Sequence, residues 1–263
     1  GKIAKNTLSS IFAEQDGTAL VVTIVKNENT NNDFFPLKVD YLEKYYAIGK
    51  IPGNYLKREG RPTEREILIS RLIDRSIRPL FAKDFLDEVH ITVTVLSINP
   101  EINPDILAII ATSTALSISN LPFMGPIGAA RISYKDNNFI INPTTSDLEN
   151  LKLDLVVSGT KDNLVMIEAG CKEVSEEILI EALEKSNNIF DEIIYKINEF
   201  KNNIKLKEID YKKYTEIENI LNENLIENIE TIFYKNDVIN TKKDIEIIIK
   251  NIIDNKLKDN DWE

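Results

Sequence analysis

Thr63-Glu64-Arg65-Glu66-Ile67-Leu68-Ile69-Ser70-Arg71-Leu72-Ile73-Asp74-Arg75-Ser76-Ile77-Arg78 is the stretch on which the reading of this chain turns. Thr63 and Glu66 have the spacing of a capping box, so a helix is expected to start there. At about 100° per residue, Ile69, Leu72, Ile73 and Ile77 share one side of that helix, and Arg71, Arg75 and Arg78 form a narrow stripe on the other. The apolar side must face a core, so the three guanidinium groups project together from an exposed face. The helix dipole favours cations in its last turn by under about 1 kcal/mol each. Asp74, at the edge of the stripe, is placed to orient one guanidinium.

Working outward, six of the seven arginines fall between Arg58 and Arg78, in a chain that otherwise supplies positive charge almost entirely with lysine. Arginine grips phosphate bidentately, whereas lysine is a point charge. The cluster is therefore the first candidate for a working surface, with phosphate or a nucleic-acid backbone as its ligand. Upstream, Pro52, Gly53, Gly60 and Pro62 punctuate a loop that can project Lys57 and Arg58, with Arg61 beside them. Tyr55, next to that basic pair, offers either a stacking platform for a base or a packing residue. The plain alternative for the whole stripe is a solvated helix face.

On either side of the helix the first half of the chain reads as strands and turns. Ser10 to Glu14 and Ala19 to Val25 flank Asp16-Gly17, a hairpin signal. Pro36 to Tyr41 and Val89 to Ile98 are further strands, the latter with Val89, Ile91, Val93 and Val95 on one face. Asn103-Pro104-Asp105 opens a second helix, apolar nearly all round and so expected to be buried between layers. Ile127 to Tyr134, Phe139 to Ile141, Leu153 to Ser158 and Leu164 to Glu168 complete the strands, and Ser175 starts a long amphipathic helix to about Asn202. Strands interleaved with three packed helices predict an α+β domain over 1–202. Beyond it, Lys, Glu, Asn and Ile at helical spacing, without Gly or Pro, predict a small all-helical domain over 203–263.

Composition bounds the function. With 263 residues and 43% hydrophobic content the chain can bury a real core. A net charge of -11 argues against coating nucleic acid non-specifically but leaves room for one local basic site. The single cysteine, Cys171, excludes an intramolecular disulfide and fits a reducing, cytoplasmic setting. No apolar run approaches the roughly 20 residues of a membrane span, so no membrane partner is expected. The chain opens at Gly1 without an initiator Met, as expected of a piece of a longer protein.

Other singular residues read as structural. His90 lies opposite the apolar face of its strand, without a partner at metal-ligand spacing. Cys171 follows Gly170 at a strand end and reads as small and inert. Gly125-Pro126-Ile127-Gly128 lacks phosphate-loop spacing. Arg131, the seventh arginine, is either structural or part of the same surface.

Several ungapped strings carry a resemblance. Asp33-Phe34-Phe35-Pro36-Leu37, Gly49-Lys50-Ile51-Pro52-Gly53, Lys57-Arg58-Glu59-Gly60-Arg61-Pro62, Ser70-Arg71-Leu72-Ile73-Asp74-Arg75, Ile77-Arg78-Pro79-Leu80-Phe81 and Gly125-Pro126-Ile127-Gly128-Ala129-Ala130-Arg131 closely resemble the first core half of the polyribonucleotide nucleotidyltransferase (polynucleotide phosphorylase) family. The resemblance runs from residue 1 to about 200, and the tail is similar to that family's helical linker domain. It implies an RNase PH-like (ribosomal protein S5 domain 2-like) fold and a homotrimeric ring that takes single-stranded RNA from its 3′ end in mRNA degradation. It further implies phosphorolysis by inorganic phosphate, releasing nucleoside diphosphates, and membership of an RNA-degradation complex.

By the same resemblance, Tyr55-Leu56-Lys57-Arg58 forms the pore constriction, where the family usually carries two Phe and two basic residues. Leu56 departs from that pattern in removing an aromatic ring; Lys57 and Arg58 keep the charge. RNA binding is carried over to Tyr55, Lys57, Arg58, Arg61, Arg71, Arg75 and Arg78, the last three supporting catalysis. The family's catalytic residues and Mg²⁺ site belong to the second core half. In this half the phosphate-binding serines are matched by Asn103-Pro104-Asp105, and the carboxylates by Leu148, Asp154 and Val156. Only Asp154 survives, so this half is expected to guide RNA, to lack a metal site and to be inactive alone. The rival readings are a ring subunit that binds RNA without contributing to turnover, and an arginine patch that docks an acidic protein.

Overall fold

The computed structural model describes residues 3–27, 34–53, 60–83 and 85–204. They belong to one compact unit spanning 1–207. Tyr55, Lys57 and Arg58, and the all-helical domain expected from 203 on apart from its first two residues, lie outside the described residues.

Two four-stranded sheets form the frame. In the first, β1 (Ser9–Gln15) and β2 (Thr18–Asn27) make the expected hairpin. Asp16 and Gly17 occupy its two turn positions at φ 48° and 86°, the positive values that such a two-residue turn requires. β3 (Leu37–Glu43) and β4 (Glu88–Ser97) complete the order β1-β2-β4-β3, with β3 parallel to β4. A parallel pair needs a crossover, which is α1 (Glu64–Ile77). The second sheet, order β6-β5-β7-β8, is antiparallel throughout: β5 (Gly128–Lys135), β6 (Asn138–Ile141), β7 (Leu153–Gly159) and β8 (Leu164–Cys171).

α1 and α2 (Pro104–Ser117) lie between the sheets. Val89, Ile91, Val93 and Val95, each fully buried, meet Ile73 and Ile77 of α1 and Ile109 of α2, and Ala129, Val156 and Met166 close the core from the second sheet. α2 presents buried residues on nearly every side because it is enclosed by sheets, as its sequence implied. α3 (Glu176–Asn202) covers the outer face of the second sheet through Ala182, Phe190 and Ile194. It comes so close at Gly128 that a Cβ there would stand 2.7 Å from the Phe190 Cα. Gly128 therefore serves helix packing. Among the described residues no helix is long and apolar enough to cross a membrane.

Candidate functional site

α1 starts where its sequence says. The Thr63 hydroxyl accepts from Glu66 N–H at 3.2 Å, and the Glu66 carboxylate accepts from Thr63 N–H at 2.6 Å. Glu66 is only 4% exposed, and its second oxygen is satisfied by Glu43 N–H at 2.8 Å. Four residues on, Ser70 Oγ accepts from Tyr41 N–H at 3.0 Å. Both amides belong to β3, the edge strand of the first sheet, so this row of α1 satisfies backbone groups that an open edge would leave bare.

Arg78 continues the row at the far end. Its Nε and Nη2 donate to the two Asp74 oxygens at 2.9 and 2.6 Å, Nη2 also to Leu37 O at 3.1 Å, and Nη1 to Phe35 O at 3.4 Å. Asp74 thus orients a guanidinium, as its place beside the stripe predicted. Below, the Phe35 ring packs on Phe81 with centroids 4.7 Å apart, fixing the end of the helix. Arg75 reaches the other sheet: Nη1 pairs with Glu168 and Nη2 donates to Ile167 O at 3.4 Å, both on β8, again an edge strand.

Arg71 is exposed and makes no hydrogen bond or ion pair with any described residue. It lines a groove of about 340 Å³ between α1 and β3, with Lys38, Asp40, Ser70, Asp74 and Arg78 around it. Arg61 is exposed just ahead of the helix. The stripe is real, but its members differ in what they hold. Arg65, which sequence reasoning left out of the site, donates to Asn103 at 2.9 Å and pairs with Glu43 at 3.3 Å.

A second constellation lies at the start of α2. Arg131 on β5 donates to both oxygens of Asp154 on β7 at 2.7 and 2.8 Å, and to Asp105 Oδ2 at 2.9 Å. The Arg131 side chain is 15% exposed and that of Asp105 5%. Burial lifts the Asp105 carboxyl above its ordinary range, against the pull of Arg131 and of the Ile106 N–H, which the carboxylate accepts at 2.7 Å. Burial also works against the Arg131 charge, but Asp154 and Asp105 more than offset it and the guanidinium pKa is raised. Arg131 is therefore structural, which settles its two open readings.

The N-terminus of a helix ordinarily attracts a bound anion. Here Asp105 fills that position with its own carboxylate, and a second negative charge stands on Asp154. Phosphate has no room electrostatically at this place. Nor do the residues fit Mg²⁺: both Asp154 oxygens are committed to Arg131, while Leu148 and Val156 bring no oxygen ligand. Among the described residues no group of three His, Cys, Asp or Glu could hold a metal ion. A lone arginine on a strand with neighbours buried on both sides is the sequence signal for such a cluster, since a buried charge demands partners.

His90 also acquires a partner that its local sequence does not show. Its Nε2 stands 2.7 Å from Asp40 Oδ2, and Lys38 pairs with the same oxygen at 2.8 Å. Burial pushes the Asp40 carboxyl up, but these two contacts outweigh it and hold the pKa below its usual value. Cys171 ends β8 as an exposed free thiol.

Residues 1–122 match the 3′ exoribonuclease family, domain 1, and residues 125–188 match domain 2 of the same family. The first match takes in the first sheet with α1 and α2, and the second takes in the second sheet and the start of α3. The chain is 48% identical over 223 residues to the polyribonucleotide nucleotidyltransferase of Legionella pneumophila (strain Paris), a match covering 84% of this chain and 30% of that protein. To the protein of the same name from Buchnera aphidicola subsp. Cinara cedri it is 46% identical over 241 residues, covering 89% of this chain and 35% of the relative. The chain thus spans about a third of the length of these curated relatives. Among solved structures, rice (Oryza sativa) Rrp46 superposes with a TM-score of 0.57 at 13% identity, covering 76% of this chain and 90% of that one, which supports the fold.

Proposed function

The chain belongs to the 3′ exoribonuclease family, and we propose that it is the RNA-guiding, non-catalytic first core half of a phosphorolytic 3′→5′ exoribonuclease. In the reaction a phosphate oxygen attacks the 3′-terminal phosphodiester phosphorus. The bond to the 3′ oxygen of the penultimate nucleotide breaks, that oxygen takes up a proton, and a nucleoside diphosphate leaves. The phosphate site, the catalytic carboxylates and Mg²⁺, which would stabilise negative charge on the transferring group, belong to a second core half.

The observation that carries this reading is the Arg131 cluster. At the positions matching the catalytic half, an internal salt-bridged triad stands where phosphate and metal ligands would be. What this half contributes is α1. Its exposed stripe supplies Arg71 and Arg75 to the RNA backbone, and Tyr55, Lys57 and Arg58 meet RNA earlier, at the pore of a homotrimeric ring. Degradation of mRNA in the cytoplasm, with inorganic phosphate as co-substrate and an RNA-degradation complex as partner, completes the proposal.

The test is Arg71→Ala in the full-length enzyme. Loss of one charge-assisted phosphate contact is expected to lower phosphorolysis of single-stranded RNA by roughly ten- to a hundredfold. Unchanged kinetics on both long and short RNA would overturn the RNA role of the face.

A further inference from the structure

The three arginines of the α1 stripe share a face and a charge, yet they differ in how many N–H groups remain to give. A guanidinium carries five. Arg78 spends four of them on Asp74, Leu37 O and Phe35 O. Arg75 spends two, on Glu168 and Ile167 O. Arg71 spends none on any described residue. A bidentate grip on phosphate needs two adjacent N–H groups, and Arg78 has a single one left, on Nη1, while the Asp74 carboxylate on its Nε and Nη2 offsets its charge. Arg78 also completes the row of Glu66, Ser70 and Asp74 that runs along β3, and its two carbonyl acceptors are those of Leu37, the first residue of that edge strand, and of Phe35 just ahead of it.

We infer that the stripe is divided: Arg71 contacts the RNA phosphate, whereas Arg78 is a positioning residue that ties the last turn of α1 to β3 and so fixes where Arg71 and Arg75 stand. This rests on the reading of the face as an RNA surface. Sequence alone treats the three as equivalent, because all project from one side of a helix wheel. The division arises from what each guanidinium meets at the edges of two different sheets.

Equilibrium binding of a labelled single-stranded RNA to the full-length protein across a salt series separates the roles, with thermal melts on the same samples. A phosphate contact shows itself in the slope of log affinity against log salt, at about 0.7 per contact for single strands. Arg71→Ala is expected to lower the slope by that amount and leave the melting temperature unchanged. Arg78→Ala is expected to melt earlier and to bind about tenfold more weakly at every salt concentration, with the wild-type slope. Arg78→Lys retains the charge but not the planar fork, and serves where Arg78→Ala does not fold; it too is expected to bind more weakly with an unchanged slope.

A slope reduced by about 0.7 in Arg78→Ala, or wild-type affinity in Arg78→Lys, would make Arg78 a direct contact and overturn the division. Folded Arg78→Ala with wild-type affinity would make it purely structural and overturn it equally. Arg71→Ala with the wild-type slope and affinity would instead refute the RNA reading of the face, a failure distinct from the other two.

Discussion

Replacing Arg131 by Ala deletes the one cation between Asp105 and Asp154. Asp154 is 35% exposed at its side chain and can recover water, but Asp105 at 5% cannot. Removing one partner of a buried pair and stranding the other costs about 3–5 kcal/mol. For a domain of this size each kcal/mol moves the melting temperature by about 2–4 °C, so the variant is expected to melt roughly 6–20 °C earlier. The pH dependence sharpens the test. Asp105 in the variant keeps the burial that lifts its carboxyl and loses Arg131, the larger of the two cations that lower it, the other being Arg65. A carboxyl whose folded pKa is raised penalises the folded state above that pKa, and the penalty vanishes as pH falls toward the ordinary value of 3.8. The deficit against wild type is therefore largest at neutral pH and shrinks on acidification. Adding Asp105→Asn should restore most of the loss. Urea and thermal unfolding followed by circular dichroism at several pH values measure all of this. A deficit under about 1 kcal/mol, or one indifferent to pH and to Asp105→Asn, would refute the view that Arg131 exists to neutralise a buried carboxylate.

Other expectations concern the loop proposed to line the pore and the packing of the second sheet. Lys57→Ala/Arg58→Ala in the full-length enzyme is expected to impair long RNA and spare very short oligomers, and to flatten the salt dependence of binding by about 0.7 per contact. Equal losses on both lengths would move these residues from the entrance to the active site. Gly128→Ala would press a methyl group against the Phe190 backbone at 2.7 Å, and is expected to destabilise the fold by about 1–3 kcal/mol in chemical denaturation. Wild-type stability would mean that α3 yields at that point.

What could be read from the sequence was what is decided locally. The Asp16-Gly17 turn, the capping box of Thr63 and Glu66, the alternation of β4 and the enclosed character of α2 each follow from residues a few positions apart, and each is in the structure. The same holds for the common face of Arg71, Arg75 and Arg78, which is a property of one helix. What could not be read depends on contacts between distant segments. His90 gains Asp40 only because β3 pairs with β4. Arg131 meets Asp105 and Asp154 across 26 and 23 residues of chain. The separate fates of Arg75 and Arg78 depend on which strand forms the edge of which sheet, and helical periodicity carries no information about that. The resemblance matches Asn103-Pro104-Asp105 and Asp154 to separate positions of the catalytic half; only the fold shows that a single arginine binds both Asp105 and Asp154.

The most direct test asks whether this half performs chemistry by itself. The purified chain would be incubated with a short 3′-labelled RNA, inorganic phosphate and Mg²⁺, beside the full-length enzyme as a positive control. No phosphate-dependent release of nucleoside diphosphate above a blank is expected from the chain, because on the proposed function the internally paired Arg131, Asp105 and Asp154 take the place of phosphate and metal ligands in this half. Phosphate-dependent release by the chain alone, abolished by a substitution within it, would contradict its assignment as the guiding half.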